Sequence, residues 1–377
     1  MSLSPILEEA LYRCNKCGFC QATCPFYQTQ LEEWAVARGR LRVLRGVQEG
    51  NLPLSSGYVR ALYNCFSCGA CASTCPSGVP VEDILFQARR DAARDALLPE
   101  PLTRLGRTIS DSGSLTGETG DMRLSWTQNL DFTPRQSGTH DLIYFVGCVS
   151  SLYPAAYGLP QSMVNLLESK GEDYAILGGD EVCCGYPLYV SGLVDEARAL
   201  AEANLRTVRE AGASRLITTC PSCFRAWREF YPELLGEDTG LEVLHVTQWL
   251  AGADLPMRPL EMRVTYQDPC DLGRASGIYD APRQFLSSLP GATLVEMAYS
   301  RAEALCCGGG GNMESLDSRA SKSVTEMRLE QASDTGANLL VTSCPQCKRT
   351  LASGHSKGRR VRVVDIVELA RRVLAAD

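Results

Sequence analysis

The chain has 377 residues, 45% of them hydrophobic, so it can bury cores in two or three domains. Its 37 Lys and Arg stand against 44 Asp and Glu, for a formal charge of -7. That balance excludes non-specific nucleic-acid binding, which needs a basic face. The N-terminal MSLSPILEEALYRC has no basic stretch followed by an apolar core, so no secretory signal is expected. The uncharged run from Leu142 to Leu167 holds Gly147, Pro154, Gly158, Pro160, Gln161 and Asn165, which suits strand–loop–helix better than a membrane span. A soluble, cytoplasmic chain with no span of its own is expected. In such a reducing compartment eighteen cysteines point to metal rather than disulfides. Histidines 140, 245 and 355 are scattered and flanked by no partner motif, and read as surface or packed residues.

The first element is Cys14-x2-Cys17-x2-Cys20-x3-Cys24-Pro25, and the same run recurs as Cys65-x2-Cys68-x2-Cys71-x3-Cys75-Pro76. Both match the bacterial ferredoxin pattern for [4Fe–4S] cubanes. Three thiolates at this spacing hold three corners of one cubane, and the fourth reaches the other. The expected sets are therefore Cys14, Cys17, Cys20 with Cys75, and Cys65, Cys68, Cys71 with Cys24. Zinc would use two CxxC pairs and leave the third cysteine and the proline of each run without a role. Between the runs, Leu31–Gln48 reads as a helix with Leu31, Trp34, Ala35, Leu41 and Leu44 on its apolar face and Arg38, Arg40, Arg42 and Arg45 on a solvated one. A second helix is expected over Val81–Ala96. A long helical insert resembles the α-helical bicluster ferredoxins of succinate and fumarate oxidoreductases. Residues 97–139, rich in Gly, Ser, Thr and Asp with Trp126 and Phe132 as the only aromatics, read as a linker: an ordered strap or a connector.

The rest of the chain repeats. Cys148, Cys183-Cys184-Gly185 and Cys220-Pro-Ser-Cys223 return as Cys270, Cys306-Cys307-Gly308 and Cys344-Pro-Gln-Cys347. Cys148 to Cys270 is 122 residues, Cys183 to Cys306 is 123, and Cys220 to Cys344 is 124. A near-constant offset over three landmarks marks a duplicated domain. Strands are expected at 141–147, 174–178 and 215–219, and helices at 155–170 and 194–211. In the second copy strands are expected at 263–267 and 338–342, with a helix at 320–332. Each cysteine group then lies near the carboxyl end of a strand, where open α/β sheets bind ligands. Gly308–Gly311 would let backbone approach a bulky cluster. Eight cysteines belong to the ferredoxin runs and ten to the repeats, so none is left over. The expected fold is thus α+β and multidomain: an α-helical ferredoxin domain (1–96), the linker (97–139) and two duplicated α/β cysteine-rich domains (140–256 and 257–377).

These residues resemble the CCG cysteine-rich domains of heterodisulfide reductase catalytic subunits and of the iron–sulfur subunits of glycolate and lactate oxidases. The second copy carries most of the likeness, in Asp268-Pro-Cys-Asp-Leu-Gly-Arg274, Gly277-Ile-Tyr279, Ala281-Pro-Arg283 and Cys306-Cys-Gly-Gly-Gly-Gly311. The resemblance implies one or two further [4Fe–4S] clusters, non-cubane in type, each on five cysteines, and both copies keep all five. It departs where the family often has histidines: Gln267 and Asp271 stand there.

Two functions follow. The leading one is an electron-relay subunit of an oxidoreductase complex, partnering a FAD-linked 2-hydroxy acid (glycolate or lactate) oxidase or a flavoprotein like an electron-transfer flavoprotein. Its electrons would leave to a quinone or another carrier, and any membrane association would come through a partner subunit. This fits the lack of a G-x-G-x-x-G or P-loop, which puts hydride chemistry on a partner. The alternative is a heterodisulfide reductase-type disulfide/thiol oxidoreductase, in which two five-cysteine sites each take half of a disulfide. Cys307 and Cys184 are then the candidate catalytic residues.

Overall fold

The computed structural model describes residues 3–354 and 361–375. His355 lies outside them. Up to residue 96 the described chain is helical with no strand, as the sequence predicts for its first part. Ser4 caps the first helix, Pro5–Tyr12, its hydroxyl accepting from the Leu7 amide.

The helix expected from Leu31 starts later. Leu31 takes a left-handed φ of 54° and is exposed, not on an apolar face. A single 3-10 turn (Glu33–Ala35) and an extended Val36 follow, and the helix proper is Ala37–Gln48. Gly39 permits this fold-back, because a Cβ there would sit 2.0 Å from the Glu33 carbonyl oxygen. Arg40 is the larger correction. It is 2% exposed, and its guanidinium donates to the carbonyls of Ala61 (2.5 Å), Ala35 (2.6 Å) and Asn64 (2.5 Å). Arg45 likewise reaches Leu11 (2.6 Å) and Cys14 (3.3 Å). Both arginines hold the backbone that leads into a cysteine run, and of the four only Arg42 is exposed. The second expected helix forms as Val81–Arg94.

The two repeats build two four-stranded parallel sheets. In the first, β1 (Leu142–Phe145), β2 (Tyr174–Ile176), β3 (Arg215–Thr218) and β4 (Glu242–His245) lie in the order β2-β1-β3-β4. In the second, β5 (Met262–Gln267), β6 (Ala292–Leu294), β7 (Leu339–Thr342) and β8 (Arg362–Asp365) repeat it as β6-β5-β7-β8. β1 pairs with β3 from Leu142↔Arg215 to Phe145↔Thr218, and β5 with β7 from Val264↔Leu339 to Gln267↔Thr342. The order reverses between these central strands, so their carboxyl ends open onto a crevice.

The repeats pack through an exchanged contact. Helix Gly158–Lys170 lies on helix Ile366–Val373, and helix Val246–Gly252 lies on helix Asp280–Ser288. One shared core, with Tyr144, Val164, Tyr266, Val341 and Ile366, fills the interface. Residues 97–139 carry a helix (Glu100–Ser112) and a 3-10 segment (Gly120–Asn129). Trp126 from the latter is buried in the same core.

Candidate functional site

Each ferredoxin run wraps its cysteines by alternating backbone hand. Lys16 and Gly18 in the first run, and Ser67 and Gly69 in the second, take left-handed φ values of 63°, 91°, 46° and 69°. The residues before the last cysteines, Thr23 and Thr74, hydrogen-bond to each other through their hydroxyls (3.1 Å), which ties the runs together. Cys14, Cys17, Cys20 and Cys75 edge one hollow of about 20 Å³. Cys65, Cys68, Cys71 and Cys24 edge another of about 30 Å³. Cys71 touches both hollows. The hollow at Cys65 thus takes three cysteines from the second run and Cys24 from the first, and the hollow at Cys14 takes three from the first run with Cys71 and Cys75 from the second.

The repeat thiols lie in two chains of interacting neighbours. In the first, Cys148 meets Cys183, Cys183 meets Cys184, Cys184 meets Cys223, and Cys223 meets Cys220. In the second, Cys270, Cys306, Cys307, Cys347 and Cys344 follow in the same order. The central member differs from its neighbours. Hydrogen bonds from Cys183 and Cys223 hold the Cys184 thiol down at about 6, and those from Cys306 and Cys347 hold Cys307 well below an ordinary thiol.

The donor sets fit iron–sulfur clusters. Burial pushes the Cys24 thiol up to about 12 and the Cys71 thiol well above the ordinary thiol range, so without a cation these thiols stay protonated. Among the described residues no three His, Cys, Asp or Glu side chains are arranged for a single metal ion; the thiols edge hollows instead, as a wider cluster requires.

One cavity of about 170 Å³ joins the repeats. It is lined by Cys148, Cys183, Cys184, Cys220 and Cys223 of the first and Cys270, Cys307, Cys344 and Cys347 of the second. The tenth cysteine, Cys306, lies next to Cys270 and Cys307 and also beside Cys68 of the ferredoxin part. Gly310 and Gly311 make that approach possible: a Cβ on them would lie 2.5 Å from the Phe66 carbonyl oxygen and 2.1 Å from that of Cys65. The glycine run expected to admit a cluster therefore admits the ferredoxin backbone.

Polar residues reach the same cavity. Asp271 accepts from the Tyr186 hydroxyl (3.0 Å), the Ser222 hydroxyl (2.7 Å) and Arg225 (3.3 Å). Arg225 also pairs with Glu82 (2.8 Å) of the ferredoxin part, where burial raises the Glu82 carboxyl to about 7. At another wall, Arg349 pairs with Glu314 and stacks over Tyr153. Gln267, the other residue in a histidine position, is buried. It donates to the Leu305 carbonyl (3.2 Å) and accepts from Arg328 (2.5 Å).

Several residues escaped the sequence reading. Arg123 comes from the expected linker, is 3% exposed, and reaches the first repeat. It pairs with Glu181 (2.7 Å) and donates to the Cys148 sulfur (3.6 Å). No local pattern marks it, because its partner is 58 residues away. The histidines are as expected where described: His140 bonds to Asp173 (2.6 Å), and buried His245 caps a helix.

The comparisons agree with this architecture. The 4Fe-4S dicluster domain family matches residues 10–79, and the CCG cysteine-rich domain family matches 142–227 and 264–352. One of the subunits of the dihydromethanophenazine:CoB--CoM heterodisulfide reductase of Methanosarcina barkeri is 31% identical, over 99% of this chain and 96% of its own. The EtfAB:quinone oxidoreductase of Syntrophomonas wolfei is 25% identical, over 90% of this chain and 54% of its own. A crystal structure of a hypothetical protein from Helicobacter pylori shares the fold, with a TM-score of 0.61 and 10% identity over all of this chain and 74% of that one. By its domain matches and its full-length likeness, the chain belongs to the heterodisulfide reductase family of iron–sulfur oxidoreductase subunits, and it carries multiple [4Fe–4S] clusters.

Proposed function

We propose that this chain interconverts a disulfide and two thiols, as the iron–sulfur subunit of a complex in which a flavoprotein supplies or removes the electrons. The observation that carries the reading is the single cavity lined by nine of the ten repeat cysteines. A chain that only relayed electrons would not need its two five-cysteine sites to face one another. The names of the relatives, one of them part of a heterodisulfide reductase, favour the disulfide alternative over the 2-hydroxy-acid reading.

In this reading the ligands are those the sequence predicts. Cys14, Cys17, Cys20 and Cys75 hold one cubane, and Cys65, Cys68, Cys71 and Cys24 hold the other. Each set of five repeat cysteines would hold a further cluster, which the family resemblance implies is non-cubane. When bound, such clusters supply single electrons, two of which, with two protons, turn one disulfide into two thiols. The chain's own residues do the rest. Burial of nine of the ten repeat cysteines keeps water from the reacting sulfurs. Asp271, Tyr186 and Ser222 present a fixed polar wall to one half of the substrate, and Arg349 with Glu314 to the other. A flavoprotein partner and a quinone or other carrier beyond it complete the complex. Among the described residues no helix is long and apolar enough to cross a membrane, so we assign any membrane attachment to a partner subunit of a cytoplasmic chain.

The test is disulfide cleavage by the anaerobically purified chain with a reduced dye. Wild type should cleave a thiol-derived mixed disulfide. Cys307→Ala should abolish cleavage while the N-terminal cluster signals persist. Absence of cleavage from wild type with a full iron and sulfide content, together with glycolate- or lactate-dependent reduction in the assembled complex, would restore the relay reading.

A further inference from the structure

Two arginines, half-buried Arg274 and fully buried Arg328, distinguish the second repeat's site from the first. Arg274 donates through Nε to the Cys68 carbonyl (2.6 Å) and through Nη1 to the carbonyls of Ala304 (2.5 Å) and Ala302 (3.2 Å). It therefore clamps the ferredoxin loop to the strand-end loop that delivers Cys306 and Cys307. Arg328, with no exposed surface, donates to Gln267 (2.5 Å), the Tyr299 carbonyl (3.0 Å) and Gln331 (2.7 Å). All of these acceptors are neutral. Among the described residues neither arginine has a carboxylate at ion-pair distance, and the Nη2 of each is buried without a hydrogen-bond partner. The acid whose charge reaches Arg328, Asp268, is already held by both Nη atoms of Arg283 (2.7 and 2.9 Å). A buried cation with a spare N–H and no counter-ion is costly unless something negative completes it. The thiols whose charge acts on Arg274 are Cys68, Cys270 and Cys306, and those acting on Arg328 are Cys307 and Cys306.

The first repeat is built otherwise. The position 122 residues before Arg274 is Leu152, and Arg328 is matched by Asn204, a neutral side chain that donates to the Cys183 carbonyl (3.1 Å). The cations beside the first repeat's site are paired: Arg225 with Glu82, Glu229 and Asp271, and Arg123 with Glu181, which is itself 2% exposed and fixed by the amides of Val146 and Gly147 (2.8 Å each).

We infer that Arg274 and Arg328 make the second repeat's site the more easily reduced of the two, so that an electron arriving through the ferredoxin part settles beside Cys306 and Cys307 before any reaches the first repeat. The inference rests on the reading that both repeats hold clusters. One-electron reduction adds one negative charge to a cluster. An uncompensated cation nearby favours the more negative state, and a hydrogen bond to a ligand sulfur does the same. The Arg123–Glu181 pair adds a hydrogen bond to Cys148 but no net charge, so the first repeat gains less.

The experiment is an EPR-monitored redox titration of the full chain with dithionite as reductant, together with iron and acid-labile sulfide analysis. Four clusters correspond to about 16 iron atoms per chain; a shortfall in wild type rejects the cluster assignment itself and is seen before any potential is read. With full iron, Arg328→Gln should move one repeat signal to lower potential and leave the ferredoxin signals in place, and Arg328→Lys should keep most of the wild-type value. Glu181→Gln should do the reverse, raising the other repeat signal and narrowing the gap. Unchanged repeat potentials in Arg328→Gln at full iron would overturn the inference. If Arg328→Gln loses iron, Glu181→Gln decides: an unmoved gap there overturns it, and a narrowed gap upholds it.

Discussion

The thiol of Cys68, in the second ferredoxin run, lies beside that of Cys306, in the second repeat. The first repeat has no such neighbour. Its equivalent cysteine, Cys183, gives its amide to the Gly113 carbonyl (2.6 Å), so the segment 97–139 covers the place that the ferredoxin part occupies on the other repeat. A duplicated domain has thereby become unequal in its surroundings. One copy sets a cysteine against the ferredoxin hollows, and the other meets the ferredoxin part through Arg225, paired with Glu82.

That junction depends on Gly311. Its φ is +61°, and a Cβ there would meet the Cys65 carbonyl oxygen at 2.1 Å and the Phe66 Cα at 2.9 Å. Gly311→Ala should push the ferredoxin loop away from the second repeat. The expected result is weaker magnetic coupling between ferredoxin and repeat signals, slower internal electron transfer in stopped flow, and a loss of about 1–3 kcal/mol in stability. Gly336→Ala is the control. It has a φ of +66° with no atom near a Cβ, so it carries backbone strain alone, about 1–2 kcal/mol, and should leave the coupling intact.

Arg40 tests the interior of the ferredoxin part. Arg40→Ala removes donors from three carbonyls, those of Ala35, Ala61 and Asn64, and leaves them buried. A loss on the order of 3–5 kcal/mol is expected, with early release of the cluster next to Cys65 on heating. Arg42→Ala, on the exposed side of the same helix, should stay within about 0.5 kcal/mol of wild type. Thermal melts followed by iron absorbance would separate the two.

Arg40 also shows what sequence can and cannot carry. Cysteine spacing was legible because ligation fixes residue type and distance together, and a repeat offset near 123 residues survives any drift between landmarks. Arg40 was not legible, because helical periodicity places it on the polar face and only the fold-back at Gly39 turns that face inward. β4 and β8 were missed for a related reason. They begin with exposed Glu242 and Arg362 at sheet edges, so neither shows a continuous apolar run. Arg123 and Trp126 sit near a Gly-, Ser- and Thr-rich stretch whose composition suggests a connector, yet both are buried against the repeats.

Stability should depend on pH through Asp365. This residue caps helix Ile366–Val373 by accepting from the Val367 amide (3.0 Å), and its Oδ2 is buried without a partner. Burial, then the charge of Glu368, raises its carboxyl from 3.8 to about 8. The folded state therefore binds the proton more tightly than the unfolded one. Its contribution is complete below the unfolded value and is lost as pH rises through the folded one, between about pH 4 and pH 8. Lys348, paired with Glu368 (2.5 Å), moderates but does not cancel the shift. Asp365→Asn keeps the cap without the titration. Its melting temperature should exceed that of wild type most at alkaline pH, and the advantage should shrink on acidification. A constant difference across that range would rule out Asp365 as the source.

The crossed ligand sets give the last prediction. Cys24 follows the first run in sequence but edges the hollow of Cys65, Cys68 and Cys71, and Cys75 does the reverse. The two final cysteines are placed by short helices that start at Gly18 and Gly69, with Thr23 and Thr74 bonded across the join. Cys24→Ser should therefore damage the cluster beside Phe66, the one adjoining Cys306, and spare the one at Cys14, Cys17 and Cys20. Its effect should spread to the second repeat, since Cys68 would lose the partner set that fixes it against Cys306. Cys75→Ser should instead damage the outer cluster, whose Cys17 is exposed, and leave the repeat signals unchanged. Iron analysis with EPR of both variants distinguishes the patterns. If Cys24→Ser removes the outer signal and keeps the inner one, the ligation is not crossed and each run holds its own cluster.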